Sequence, residues 1–179
     1  MSEEPVEILV QMAERGEIDP WNIDIVEVTD RFLSELERLL ESKKDILTHT
    51  PSVWPAQGWV TSGFGFRTNP FTGLSQMHEA LDISNRTGTL IVAPADGIVS
   101  DIGRDSAYGV ILVISHGFGM TTRFAHLNKT LVKVGQKVKR GDIVGYVGST
   151  GKSTGPHVHY EIWAKGKSVN PKKYLQGRS

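Results

Sequence analysis

The chain changes texture near residue 50, and that change limits what it can fold into. Before it, apolar residues recur at helical spacing; after it, short Val- and Ile-rich runs alternate with turn residues, and most of the 19 glycines fall there. From Pro5 to Ile18, Val6, Leu9, Val10 and Ala13 share one helical face, with Pro5 suited to a first turn and Gly16 to a stop. A turn-like Asp19-Pro20-Trp21-Asn22 follows. Then Ile25, Val28, Phe32, Leu36, Leu39, Leu40, Ile46 and Leu47 predict one long amphipathic helix. Two helices over 1–48 bury one face against each other without enclosing a core, so a partner surface is expected, such as another chain. The polar stretch from Thr48 to Ser52 marks the boundary, giving domains 1–48 and 49–179.

Beyond the boundary, Thr89 to Ala93, Gly97 to Ile102, Val110 to Ser115, Ile143 to Val147 and Val158 to Trp163 read as strands. With no helical segments between them they predict a mainly β domain of antiparallel sheets, preceded by an α-helical hairpin. A weak repeat links Ala93-Pro94-Ala95-Asp96-Gly97-Ile98-Val99 to Val138-Lys139-Arg140-Gly141-Asp142-Ile143-Val144-Gly145.

Charge narrows the function classes. Lys plus Arg equals Asp plus Glu at 20 each, which argues against a nucleic-acid binder working through a basic face and against an electrostatic membrane binder. Every apolar run is interrupted well short of the roughly 20 residues that span a bilayer, so no membrane insertion is expected. The acidic start lacks the pattern of an export signal. With no cysteine there is no disulfide framework, and a metal would have to be held by nitrogen and oxygen.

Such donors are present. In His157-Val158-His159 the two imidazoles face one side of a strand, with Val158, Tyr160 and Ile162 on the other. Taken alone, this pair fits an exposed strand as well as a ligand site. In His78-Glu79-Ala80-Leu81-Asp82 a spacing of four puts His78 and Asp82 on one face in either a helix or a strand. The segment begins like H-E-x-x-H, but Asp82 holds the second histidine's place. His126 reads as a further site residue or as a hydrogen-bonded strand-end histidine; His116 and His49 read as structural. Two histidines and one aspartate would leave a fourth zinc position open, as catalytic sites do. Glu161 shares a strand face with His159 and reads either as its orienting partner or as a solvated charge.

With these elements in place, the stretch from Trp54 to about Leu175 resembles the LytM/lysostaphin-type zinc metalloendopeptidases of peptidoglycan. The likeness is carried by Ser62-Gly63-Phe64-Gly65-Phe66-Arg67, by His78 and Asp82, by Phe124-Ala125-His126-Leu127, and by Gly148-Ser149-Thr150-Gly151 leading to His157-Val158-His159. It implies a duplicated, lysostaphin-like β fold and one Zn2+ per chain on His78, Asp82 and His159. His126 and His157 would be catalytic, a peptidoglycan peptide the substrate, and the cell envelope or beyond the place of action. One departure stands out: Ala80 replaces the family's usual glycine, and a positive φ there would cost alanine about 1 kcal/mol.

Other readings fit fewer residues. A biotinyl/lipoyl carrier shares the hairpin pattern but needs a modifiable lysine beside methionine and leaves the histidines unexplained. A zinc-holding scaffold without hydrolysis uses the same ligands. A phosphate loop at Gly148 to Ser153 fails because Tyr146 stands where glycine is required. The first 40 or so residues resemble the N-terminal part of segregation and condensation protein A, the kleisin of SMC complexes, through Pro5 to Val10, Gly16 to Ile25 and Ile25 to Leu39. That resemblance implies a cytoplasmic SMC-type coiled-coil partner. An engineered fusion sharing Ser34 to Leu47 would join the two textures.

Overall fold

The computed structural model describes residues 5–17 and 25–177, so Ile18 and the turn-like Asp19 to Asn22 lie outside the described residues. The chain divides into two compact units, Met1–Ile46 and Leu47–Ser179. In the first, α1 spans Pro5–Glu14. It ends as the sequence predicts at Gly16, whose φ of 71° lets Gly16 N donate to Ala13 O and Glu17 N to Met12 O, the paired bonds of a Schellman cap. Helix α2 spans Ile25–His49 without a break, so it continues through Thr48 and His49, read as linker from their polarity. Within this unit Arg31 donates to the Glu17 carbonyl, while Leu33 and Leu40 on α2 stay exposed.

In the second unit the main sheet has eight strands. Seven run in the order β1 (Trp59–Ser62), β4 (Leu81–Ser84), β12 (His157–Ala164), β8 (Met120–Leu127), β7 (Gly109–Gly117), β6 (Gly97–Asp105) and β10 (Lys137–Val138); β13 (Lys167–Val169) also pairs with β12. A three-stranded sheet holds β5 (Leu90–Val92), β11 (Ile143–Tyr146) and β9 (Lys129–Thr130), and β2 (Gly65–Thr68) pairs with β3 (Ser75–His78) in a separate hairpin. All pairings are antiparallel, as expected. The five segments read as strands are strands, with ends displaced by at most three residues.

One core cluster joins the two larger sheets. Leu81, Ile83, Leu112, Ile114, Phe124, Val158, Tyr160 and Ile162 come from the main sheet, Ile91 and Val144 from the small one. Each such side chain contributes roughly 1.5–3 kcal/mol on leaving water, and strand alternation supplies them on one face only, which frees the opposite face of β12 for polar groups. The two halves of the sequence repeat pack on each other: Ala93 N donates to Asp142 O at 2.9 Å, Gly141 N to Ala93 O at 2.9 Å, and Arg140 N to Asp96 Oδ1 at 2.8 Å.

The glycine-rich run at Gly148 to Ser153 is a clamp. Thr150 Oγ1 accepts from Val110 N at 2.9 Å and donates to Leu127 O at 2.8 Å. Only glycine fits at Gly109 and Gly151: a Cβ would stand 2.2 Å from Thr150 Oγ1 at the first and 2.3 Å from Gly109 N at the second. This contact fixes the Thr150 carbonyl, which the site below uses.

Candidate metal centre

On β12 the alternation works as the sequence predicts. Val158, Tyr160 and Ile162 enter the core, while His157, His159 and Glu161 share the other face. Register with β4 then sets Asp82 directly opposite His159. His78 arrives differently from the expectation of one element with four-residue spacing. It ends β3, in the separate hairpin, and Glu79 and Ala80 break the chain before β4 begins. The two residues meet because the chain turns from one sheet into another, not because they share a face. Ala80 is fully buried and its φ is not positive, so no glycine is required there.

The three side chains converge, with ligand atoms all within 4.8 Å of one another. His159 Nδ1 lies 2.9 Å from Asp82 Oδ1, His78 Nε2 3.2 Å from Asp82 Oδ2, and His78 Nε2 3.4 Å from His159 Nδ1. Each ring's other nitrogen is committed: His78 Nδ1 donates to Gly63 O at 2.8 Å, and His159 Nε2 donates to Glu161 Oε1 at 3.1 Å. The two nitrogens facing each other beside a carboxylate are therefore both lone-pair positions, a donor set that calls for a cation between them. The residues fit a divalent metal of the zinc type, with two imidazoles and one carboxylate.

Electrostatics agree. Burial pushes the Asp82 carboxyl up, but hydrogen bonds from His159 and His78 outweigh it and hold the group well below the usual carboxylate range. At His159 burial disfavours the charged ring, yet the Asp82 and Glu161 carboxylates on its two nitrogens raise it above the ordinary histidine value. Glu161, only 2% exposed, also feels burial first, but its bonds to His159 and to Trp163 Nε1 at 2.7 Å keep it ionised.

Two more imidazoles stand alongside. His126, near the end of β8, takes a left-handed φ of 59°, uncommon for a residue with a Cβ. Its amide donates to Tyr108 O at 2.8 Å and its Nδ1 to Thr150 O at 2.7 Å, so the clamp fixes the ring and leaves Nε2 for the cleft. Burial chiefly lowers its pKa, which keeps it neutral at pH 7. His157 donates Nδ1–H to Gly155 O at 2.8 Å, and its ring centre lies 4.8 Å from that of His126. All five side chains line a cleft of about 400 Å³, with Arg67, Tyr108 and Lys152 among its other walls.

The sequence-expected site residues His78, Asp82, His126, His157 and His159 are thus brought together. His116 is not among them. Fully buried, it bonds Asp96 O at 2.7 Å and Thr122 Oγ1 at 2.8 Å, which is the structural role read for it. His49 ends α2 against the Phe118 ring. Two neighbours went unassigned. Glu161 is the orienting partner of His159, and its position two residues along the strand was the available signal. Tyr108, stacked on His126 and capped by the Arg123 guanidinium at 4.1 Å, left no signal in the sequence.

Comparisons place this geometry among known proteins. The model of peptidase family M23 matches residues 76–171. The DD-carboxypeptidase/endopeptidase Mpg of Neisseria meningitidis serogroup B is 40% identical over 112 residues, covering 63% of this chain and 26% of the relative. Peptidoglycan DD-endopeptidase ShyB of Vibrio cholerae is 32% identical over 179 residues, 93% of this chain and 42% of the relative. A crystal structure of a zinc-containing peptidase from Vibrio cholerae superposes with a TM-score of 0.64 at 35% identity, over 68% of this chain and 39% of that one. The chain spans about a quarter of the Neisseria relative.

Proposed function

Because the chain belongs to peptidase family M23, we propose that its β unit is a zinc-dependent endopeptidase that hydrolyses peptide cross-links of peptidoglycan, acting in the cell envelope. The observation that carries this reading is the convergence of His78 Nε2, Asp82 and His159 Nδ1, with His126 and His157 beside them in one cleft. The name of the Vibrio relative supports peptidoglycan as the substrate, and the DD in the names of both relatives supports a bond between two D-centres. Among the described residues no helix is long and apolar enough to cross a membrane.

In this reading His78, Asp82 and His159 hold one zinc ion per chain. When bound, zinc supplies a Lewis acid with an open position, which polarises a peptide carbonyl and acidifies water. The protein residues do the rest. Glu161 keeps the His159 tautomer that presents Nδ1, and Gly63 O does the same for Nε2 of His78. His126, neutral with Nδ1–H held by Thr150 O, offers Nε2 as the base that takes a proton from the attacking water. The His126 imidazolium formed in that step returns the proton to the leaving amine, while His157, its Nδ1–H held by Gly155 O, stands beside it with Nε2 free to accept a hydrogen bond from the attacking water or the leaving amine.

The kleisin resemblance of residues 1–48, with the fusion and the SMC-type partner it implies, has only the residue pattern behind it. The ShyB alignment, spanning 93% of the chain, gives the helical segment a second possible parentage within the peptidases.

Metal analysis of purified protein and digestion of cross-linked muropeptides test the proposal together. About one zinc per chain is expected, with cross-linked dimers converted to monomers, and His159→Ala should lose both. Zinc without cleavage would leave the scaffold reading; no zinc and a mass-modified lysine would favour the carrier.

A further inference from the structure

We propose that Arg67 reads a free carboxylate on the substrate residue next to the scissile bond, so that the cleft selects anionic cross-link peptides over neutral ones. The inference rests on the peptidase reading and adds to it a substrate chemistry and a residue.

Arg67 lies on β2 opposite Gln76, lines the cleft, and has a side chain 36% exposed. Among the described residues its one side-chain contact is Nη2 to Asp82 Oδ2 at 3.4 Å. A guanidinium carries five N–H donors in a planar fork, and a carboxylate it is built to hold is gripped by two of them at about 2.7–2.9 Å. Arg38 shows that arrangement elsewhere in the chain, with Nε 2.9 Å and Nη2 2.6 Å from the two oxygens of Glu35. Asp82 already has His78 and His159 as partners, so it does not depend on the single long contact from Arg67. Most of the Arg67 fork is therefore unused beside the ligand group, where the reacting bond must lie.

The surrounding charges point the same way. Of the acids lining the cleft, Glu79 accepts from Ser168 Oγ at 2.9 Å, Glu161 is held by His159 and Trp163, and Asp82 belongs to the donor set. Arg123 sits over the Tyr108 ring and beside Glu161 at 3.6 Å. The walls present two cations to a ligand, Arg67 on one element and Lys152 on the clamp loop, against one exposed carboxylate, Glu79. Where a cross-link is made to the amine of a D-centre that does not continue into a further peptide bond, the carboxyl group on that same carbon stays free. Arg67 is placed to take it, and a bridge of neutral residues offers no such group.

The test compares two cross-linked peptide dimers, one with that carboxylate free and one with it amidated, against the zinc-loaded native chain, Arg67→Gln and Arg67→Lys. Affinity is read by calorimetry, cleavage by chromatography, and zinc content is measured for each protein. The native chain should prefer the free carboxylate at least about tenfold, mainly in affinity or KM. That preference should collapse toward unity in Arg67→Gln and be partly kept in Arg67→Lys, with about one zinc in all three. Equal losses on both dimers, or no native preference, would overturn the assignment and leave Arg67 as a prop for Asp82. Selective binding without cleavage would sink the peptidase reading while leaving the carboxylate site standing.

Discussion

His116 and His159 lie in the same eight-stranded sheet and are both buried, yet their partners push them in opposite directions. His116 meets one carbonyl acceptor and one hydroxyl, the complete set a neutral imidazole needs, and burial then drives its pKa down to about 4. His159 meets a carboxylate on each nitrogen, and those charges overcome the same burial. Burial alone thus does not decide what a histidine does. Neutral partners make it a strut between strands; anionic partners make it a place where a cation or proton is wanted.

The largest effect expected from this contrast is at His116. Burial depresses its folded pKa from the ordinary histidine value of 6.5 to about 4, so the unfolded chain takes up the proton first. The stability it contributes is full above about pH 6.5 and is lost as pH falls toward 4, about 3 kcal/mol in all. Denaturant unfolding of the native chain and of His116→Gln should therefore show a gap at pH 7 that narrows by pH 4.5. A gap independent of pH would mean that this ring is not held neutral.

The contrast sharpens at Glu161. Removing its carboxylate should free the His159 ring and weaken zinc affinity by about 10–100-fold in chelator competition, with Glu161→Gln less affected than Glu161→Ala because it keeps an acceptor. Unchanged affinity in both variants would place Glu161 outside the site's machinery. The smallest effect belongs to Tyr160, between those two residues but on the core face. Its hydroxyl is buried with no hydrogen-bond partner among the described residues, so Tyr160→Phe should be neutral or slightly stabilising, within about 1 kcal/mol, in the same unfolding assay. A clear loss of stability would reveal a partner for that hydroxyl.

The legible parts of this chain were those governed by short-range rules. Period-two alternation placed His157 and His159 on one face of β12 and Tyr160 on the other, helical periodicity gave α2, and Gly16 marked the end of α1. The absence of cysteine fixed nitrogen and oxygen as the only donors for a zinc-type site. Tertiary structure decided the rest. His78 and Asp82 meet across a change of sheet that four-residue spacing does not describe, and Asp82 faces His159 through strand register between residues far apart in sequence. Tautomers depend on the carbonyls of Gly63, Thr150 and Gly155, atoms every residue has and no sequence pattern distinguishes. Side-chain chemistry is local and can be read along the chain, whereas the partner that turns a histidine into a strut or a ligand arrives from a distant strand.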